Sequence, residues 1–177
     1  YATRGPGCRG QGRHPTCPRN AWPEDNAMLK NMDPLLTPDL LKVLAEMGHD
    51  DAIVLADANF TAMSLGVGKP VLRMPGIGMA RAVQAVASVL PLAQDVSHPV
   101  AYMQVGGTEV PYRSALQRET MQVLAREGVA GEQAEGVERF AFYERVKKAY
   151  AIVVTGELQP FGNFLLRKGV IGETLRD

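Results

Sequence analysis

From residue 37 onward, apolar and polar positions follow first a helical period and then a strand-like run. Leu40, Val43, Leu44 and Met47 recur at i, i+3, i+4 and i+7, the spacing that lines one face of a helix. Thr37-Pro38-Asp39 supplies the start: a hydroxyl cap, a proline at the first helical position, and an acid near the positive end of the dipole. Gly48 supplies the expected stop. Ala52-Ile53-Val54-Leu55-Ala56 is continuously apolar over strand length, as expected for a strand covered on both faces. Further strands are predicted at Val71 to Met74, Val100 to Val105, Ala151 to Thr155 and around Phe164 to Arg167. Helical patterns fall between them at Met79 to Leu90, Tyr112 to Glu127 and Ala141 to Tyr150. The alternation predicts an α/β fold, a three-layer sandwich with a mostly parallel central sheet. In such sheets ligands collect beyond the carboxyl ends of the strands. Asp57 falls at such an end, and so does the loop after Thr155-Gly156-Glu157.

Composition narrows the classes. With 177 residues and 46% hydrophobic content, the chain can bury one core without metal or disulfide staples. A single domain over residues 28–177 is expected. Residues 1–27 hold Gly5, Pro6, Gly7, Gly10, Gly12, Pro15, Pro18 and Pro23, too many helix and core breakers for packed structure. That segment is expected to be disordered, either as an extension ahead of a functional start at Met28 or as a basic interaction tail. It lacks the apolar run of a secretory signal. No stretch approaches the roughly 20 apolar residues that span a bilayer.

The formal charge is zero, but Arg4, Arg9, Arg13 and Arg19 stand against only Glu24 and Asp25 in the first segment. The body therefore carries 15 basic and 17 acidic residues, a balance that gives no clustered case for nucleic-acid binding. Both cysteines, Cys8 and Cys17, lie outside the body, which fits a reducing, cytoplasmic setting. His14, His49 and His98 show no paired spacing for a zinc or iron site, and neither metal nor cofactor is expected.

Two glycine motifs fail on inspection. Gly66-Val67-Gly68-Lys69-Pro70 is too short for a phosphate loop and has proline where magnesium would need a hydroxyl. Gly76-Ile77-Gly78 has Arg81 where a dinucleotide fingerprint needs its third glycine, so a turn and helix entry is expected. Ser64, Ser88, Ser97 and Ser114 have no nucleophile-elbow context. Met47-Gly48-His49 places a histidine at a helix-to-strand junction, one strand before Asp57. This suggests proton transfer to a small polar molecule; a helix stop followed by a solvated side chain is the alternative.

Several blocks resemble one known family. They are Pro38 to His49 (Pro-Asp-Leu-Leu-Lys-Val-Leu-Ala-Glu-Met-Gly-His), Ala56-Asp57-Ala58-Asn59-Phe60, Arg139-Phe140-Ala141-Phe142-Tyr143-Glu144-Arg145, Ala151 to Glu157, and Phe161-Gly162-Asn163. In order and spacing they resemble the L-fucose mutarotase branch of the fucose mutarotase and ribose pyranase family, over about Met28 to Val170. The resemblance implies that family's fold, with His49 as the catalytic residue. It implies substrate-binding roles for Asp57, Arg139 and the loop Phe161, Gly162 and Asn163. Arg139 favours a fucose-type sugar over ribose. It also implies ring-like homo-oligomers, commonly decamers, with sites near subunit contacts. The chain departs from the family pattern at Phe161, usually tyrosine, at Thr61, commonly proline, and at Met63, histidine in some members.

The implied chemistry is the interconversion of the α and β anomers of L-fucose. Opening the hemiacetal needs a proton taken from the anomeric hydroxyl and another delivered to the ring oxygen, and an imidazole suits both directions. Asp57 can accept from sugar hydroxyls, while Arg139 and Asn163 can donate. A structural alternative stands beside each: Asp57 capping a turn, Arg139 pairing a surface acid, Asn163 shaping a loop, Phe161 packing in the core. Tyr143 offers a hydroxyl that could replace the one missing at Phe161. A ribose-type pyranase and a catalytically weak sugar-binding module remain as alternative functions, and no cofactor follows from proton transfer.

Overall fold

The computed structural model describes residues 29–108 and 112–172. The expectations for residues 1–27 lie outside the described residues. The chain divides into two units, Tyr1–Met32 and Asp33–Asp177. Of the first, residues 29–32 form a turn in which the Met32 N–H donates to the Leu29 carbonyl at 3.3 Å.

The second unit carries an α/β architecture in the order α1 (Pro38–Glu46), β1 (Ala52–Ala56), α2 (Ala62–Leu65), β2 (Val71–Met74), α3 (Met79–Ala87), β3 (Val100–Met103), α4 (Ala115–Arg126), a short 3-10 turn (Gly131–Gln133), β4 (Ala134–Val137), α5 (Arg139–Lys148), β5 (Ala151–Thr155) and β6 (Phe164–Arg167). The six strands form one sheet in the order β2-β5-β1-β6-β3-β4. β1, β2 and β5 pair in parallel, as do β3 and β4, while β6 runs antiparallel between β1 and β3. The sheet is thus mostly parallel, with one reversed strand near its centre.

Alternation along the strands divides the core between two faces. Val54 and Ala56 of β1, Met103, Ile152, Val154 and Leu165 pack with Ala62 of α2 and with Phe142 and Val146 of α5. Ile53 and Leu55 point the other way, where α3 meets β1 and packs on α4. Helices therefore cover both faces, which explains why β1 is apolar without interruption. No helix among the described residues is long and apolar enough to cross a membrane.

Thr37 caps α1 as its sequence predicts, its Oγ1 accepting the Leu40 N–H at 3.3 Å. The other end differs. Met47, in extended conformation, closes the helix, and Lys168 donates to the carbonyls of Leu44 and Met47. Gly48 is not a left-handed cap; its N–H donates to Asp51 at 2.7 Å, and Asp50 is the residue with positive φ in that connection. Gly78 starts α3 after the turn at Gly76, and Lys69 donates to carbonyls at the end of α5, a structural use of the glycine-lysine loop. α5 begins at Arg139, two residues earlier than its apolar pattern, because the Glu138 carboxylate accepts the N–H groups of Phe140 and Ala141. The predicted strand to Val105 stops at Met103, where the chain turns at Gly106-Gly107.

Candidate active site

Asp57 follows β1 directly and is almost fully buried, at 3% exposure. A lone carboxylate there would be costly, so its partners define the site. Its Oδ1 accepts the Asn59 N–H at 3.0 Å, closing a local turn, and its Oδ2 accepts from Asn163 Nδ2 at 2.8 Å. Asn163 Oδ1 in turn accepts the Asp57 N–H at 3.0 Å, so the two residues are joined by a reciprocal pair of bonds across 106 positions. The Gly162 N–H also donates to Asp57. Burial pushes the Asp57 carboxyl above its ordinary 3.8; donors from Asn163, Asn59 and Gly162 offset this in part, and Glu157 adds like-charge repulsion.

Geometry revises the role first read for Asn163. Its oxygen and one of its amide hydrogens are committed to Asp57, and its amide nitrogen otherwise meets Met103 Sδ at 3.8 Å. Little hydrogen-bonding capacity is left over for a ligand, so this side chain chiefly orients the carboxylate. Gly162 serves the same end. A Cβ there would come within 2.8 Å of Leu116 Cδ2, and the bare backbone can approach where no side chain fits. Phe161 has φ 62°, a conformation costly for a residue with a bulky side chain, and its ring packs beside Gly106.

α5 supplies the opposite wall. Arg139 stands on its first turn with the guanidinium 4.6 Å from the Phe140 ring centroid, and no carboxylate among the described residues pairs with it. Tyr143, one turn further on, is held edge-on between Phe60 and Phe140, at centroid distances of 5.6 and 6.1 Å. Its hydroxyl has no hydrogen-bond partner among the described residues. Asp57, Asn59, Phe60, Met103, Arg139, Tyr143, Pro160, Phe161 and Asn163 together line one open cavity of about 140 Å³. Polar groups gather around Asp57 and Arg139, while Phe60, Met103, Pro160 and Phe161 give it a hydrocarbon side.

Four of the six residues singled out from sequence therefore meet at one cavity, and Gly162 supports it from behind. His49 does not join them. It lies before the amino end of β1, whereas Asp57 follows the carboxyl end, and the five-residue strand between them spans about 17 Å. An extended strand is the longest way to separate two residues, so one subunit by itself does not bring the His49 and Asp57 side chains together. Half-exposed, His49 instead meets Asp95, Nε2 to Oδ2 at 3.0 Å. Asp95 lies 46 positions away and no local pattern marked it. Gln117, which binds the Phe161 carbonyl at 3.0 Å, was also passed over, though Ser114-x-x-Gln117 has the capping-box form that could have flagged it. Among the described residues, no group of three or more His, Cys, Asp or Glu side chains could share a metal ion.

Residues 30–171 match the sequence pattern of the RbsD / FucU transport protein family. The chain belongs to this family. An L-fucose mutarotase from Actinobacillus pleuropneumoniae is 42% identical over 145 residues, covering 81% of this chain and 97% of that protein. A crystal structure of the fucose mutarotase from Streptococcus pneumoniae in complex with L-fucose superposes with a TM-score of 0.74 at 36% identity, over 81% of this chain and all of that one. RbsD from Bacillus subtilis, solved with D-ribose, is more distant: TM-score 0.61 and 25% identity, over 82% of this chain and all of that one. The mixed six-stranded sheet is thus the fold of RbsD and FucU proteins.

Proposed function

We propose that this chain is a sugar mutarotase that interconverts the α and β anomers of L-fucose, or of a close relative, by acid-base ring opening and closure without a cofactor. The observation that carries this reading is the meeting of Asp57, Arg139, Phe161 and Asn163, from three distant stretches, around one monosaccharide-sized cavity in a member of this family. The similarity to fucose mutarotases, greater than that to the ribose-bound relative, favours fucose over ribose.

In this mechanism the remaining lone pairs of Asp57 accept from sugar hydroxyls, and Arg139 donates to ring substituents in a planar fork. Tyr143 supplies the hydroxyl that Phe161 lacks. Phe60, Met103 and Phe161 cover the C–H face and methyl group of the sugar. His49 takes the anomeric proton and returns one to the ring oxygen, and Asp95 orients its imidazole through Nε2. Because His49 and the cavity stand at opposite ends of β1, this role requires the His49 of a neighbouring copy, in a cytoplasmic homo-oligomer such as a decameric ring. The exposed Phe140, Met63 and Leu158 are apolar surface available for that contact.

A second reading follows from the position of His49: Asp57, with its raised pKa, and Tyr143 could move the protons within one subunit. Saturation-transfer NMR on the anomeric protons of L-fucose tests the activity directly. Faster exchange with protein is expected, and an unchanged rate sinks the proposal. The same measurement with D-ribose tests the pyranase alternative, and binding without exchange would indicate the sugar-binding module. Wild-type exchange in His49→Ala would transfer the chemistry to Asp57 and Tyr143.

A further inference from the structure

We infer that Gln117 is a positioning residue for this sugar site: from α4 its carboxamide holds the Phe161-Gly162-Asn163 loop in the conformation that orients Asp57, and so sets how tightly the sugar is held. The inference rests on the function proposed above. Gln117 does not line the cavity and touches no reacting atom.

Gln117 is fully buried, and every hydrogen-bonding atom of its carboxamide is used. Oε1 accepts the Ser114 N–H at 3.0 Å, while the Gln117 N–H donates to Ser114 Oγ at 3.2 Å, completing a capping box. A capping box needs only that oxygen. The amide nitrogen points elsewhere: it donates to the Met103 carbonyl at the end of β3, at 2.8 Å, and to the Phe161 carbonyl, at 3.0 Å. One side chain therefore ties the helix start, the central sheet and the binding loop together.

The tie falls where the loop most needs it. Phe161 carries positive φ, and a phenylalanine stays there only when its surroundings over-determine the backbone. Leu116, beside Gln117, presses on Gly162, leaving no room for a Cβ. The next groups along the loop are the Gly162 N–H and the Asn163 amide, both donors to Asp57. A shift at the Phe161 carbonyl therefore passes directly to the carboxylate. The other charged and titratable groups facing Asp57 are Glu157 after β5, and Arg139 and Tyr143 of α5.

The test uses the full chain with Gln117→Leu, which removes both donors at similar size, and Gln117→Glu, which keeps the capping oxygen but loses the amide donors. Ser114→Ala is the control, removing the hydroxyl half of the cap while leaving the Gln117 amide in place. Three quantities are read: the Asp57 carboxyl titration by ¹³C NMR without sugar, the Kd for L-fucose, and Tm. Both Gln117 variants should move the Asp57 titration to higher pH, because donors to its ionised form are loosened. They should weaken L-fucose binding about tenfold, the scale of leaving one buried carbonyl without its donor, with less effect on exchange at saturation. Ser114→Ala should lower Tm and leave the titration and Kd unchanged. A folded Gln117→Leu or Gln117→Glu with the wild-type titration overturns the inference, as does an equal shift in Ser114→Ala. If wild-type protein does not bind L-fucose, the proposed function fails while the titration still decides the role of Gln117.

Discussion

The two ends of β1 handle polar chemistry in opposite ways. Beyond its carboxyl end, Asp57 is buried and held by Asn163, Asn59 and Gly162, so its position is fixed by the fold itself. Ahead of its amino end, His49 and Asp95 form a half-exposed pair joined by one contact at 3.0 Å. A buried network is rigid and costly to disturb, whereas an exposed pair contributes little to stability. On the function proposed above, this contrast becomes a division of labour, with Asp57 binding the sugar within the subunit and His49 offered to a neighbouring copy.

The largest expected effects separate the two ends. His49→Ala should lower the anomer exchange rate about 10² to 10⁴-fold, the usual contribution of a positioned acid-base group, while unfolding free energy stays within about 0.5 kcal/mol of wild type. Asp57→Ala should abolish sugar binding and also alter stability, since the amide of Asn163 would lose its partner inside the core. If chemical denaturation and saturation transfer gave the same profile for both variants, the contrast would collapse.

Mixing tests whether the two ends belong to one site. Subunits bearing His49→Ala and subunits bearing Asp57→Ala, each inactive alone, should recover activity when unfolded and refolded together, in up to about a quarter of the sites for random assembly of a symmetric ring. No recovery from a properly assembled mixture would remove His49 from the sugar site.

A smaller effect is expected at Asn163. Asn163→Leu leaves the Asp57 N–H and carboxylate without their amide partner and should cost about 1 to 3 kcal/mol in urea unfolding. It should also push the Asp57 carboxyl further up, by removing the strongest of the donors that hold it down. An Asn163→Leu protein as stable as wild type would mean that the buried pair is not the anchor described.

The smallest effect lies in the pH dependence of stability. Asp57 is raised in the folded protein, so its contribution is fully present below the ordinary value of 3.8 and is lost as pH rises through the folded value. Glu135 has the opposite sign. Its hydrogen bonds with Arg145, at 2.7 and 3.0 Å, lower its pKa, so its contribution is present above 4.5 and lost as pH falls through the folded value. Both residues of that pair are more than a third exposed, and screening keeps the Glu135→Gln effect below about 1 kcal/mol. Denaturation from about pH 3 to pH 7 should show a shallower acid loss in Glu135→Gln and a shallower alkaline decline in Asp57→Asn.

Local signals account for what was legible in the chain. The period of Leu40, Val43, Leu44 and Met47 marked α1, and the unbroken run from Ala52 to Ala56 marked a strand covered on both sides. Asp57 stood out because the end of a buried parallel strand is where ligands collect. β4 was missed because Ala134-Glu135-Gly136-Val137 is a four-residue edge strand with a charge and a glycine at its middle positions, the glycine opposite Tyr102, and its pairing with β3 gives no local period. α2 was missed because four residues are too few to repeat a helical pattern.

By itself, the sequence determined most of the elements, the starts of α1 and α3, and a set of residue blocks specific enough to name a family. It did not determine that β6 enters reversed between β1 and β3, that Asn163 spends its amide on Asp57, or that Gln117 reaches the Phe161 carbonyl. It also left open whether His49 meets Asp57 within one subunit, which the length of β1 decides against. The physical reason is one of range: propensity and periodicity act over a few neighbours, whereas hydrogen bonds across 44, 46 and 106 positions exist only after the sheet has brought distant segments together.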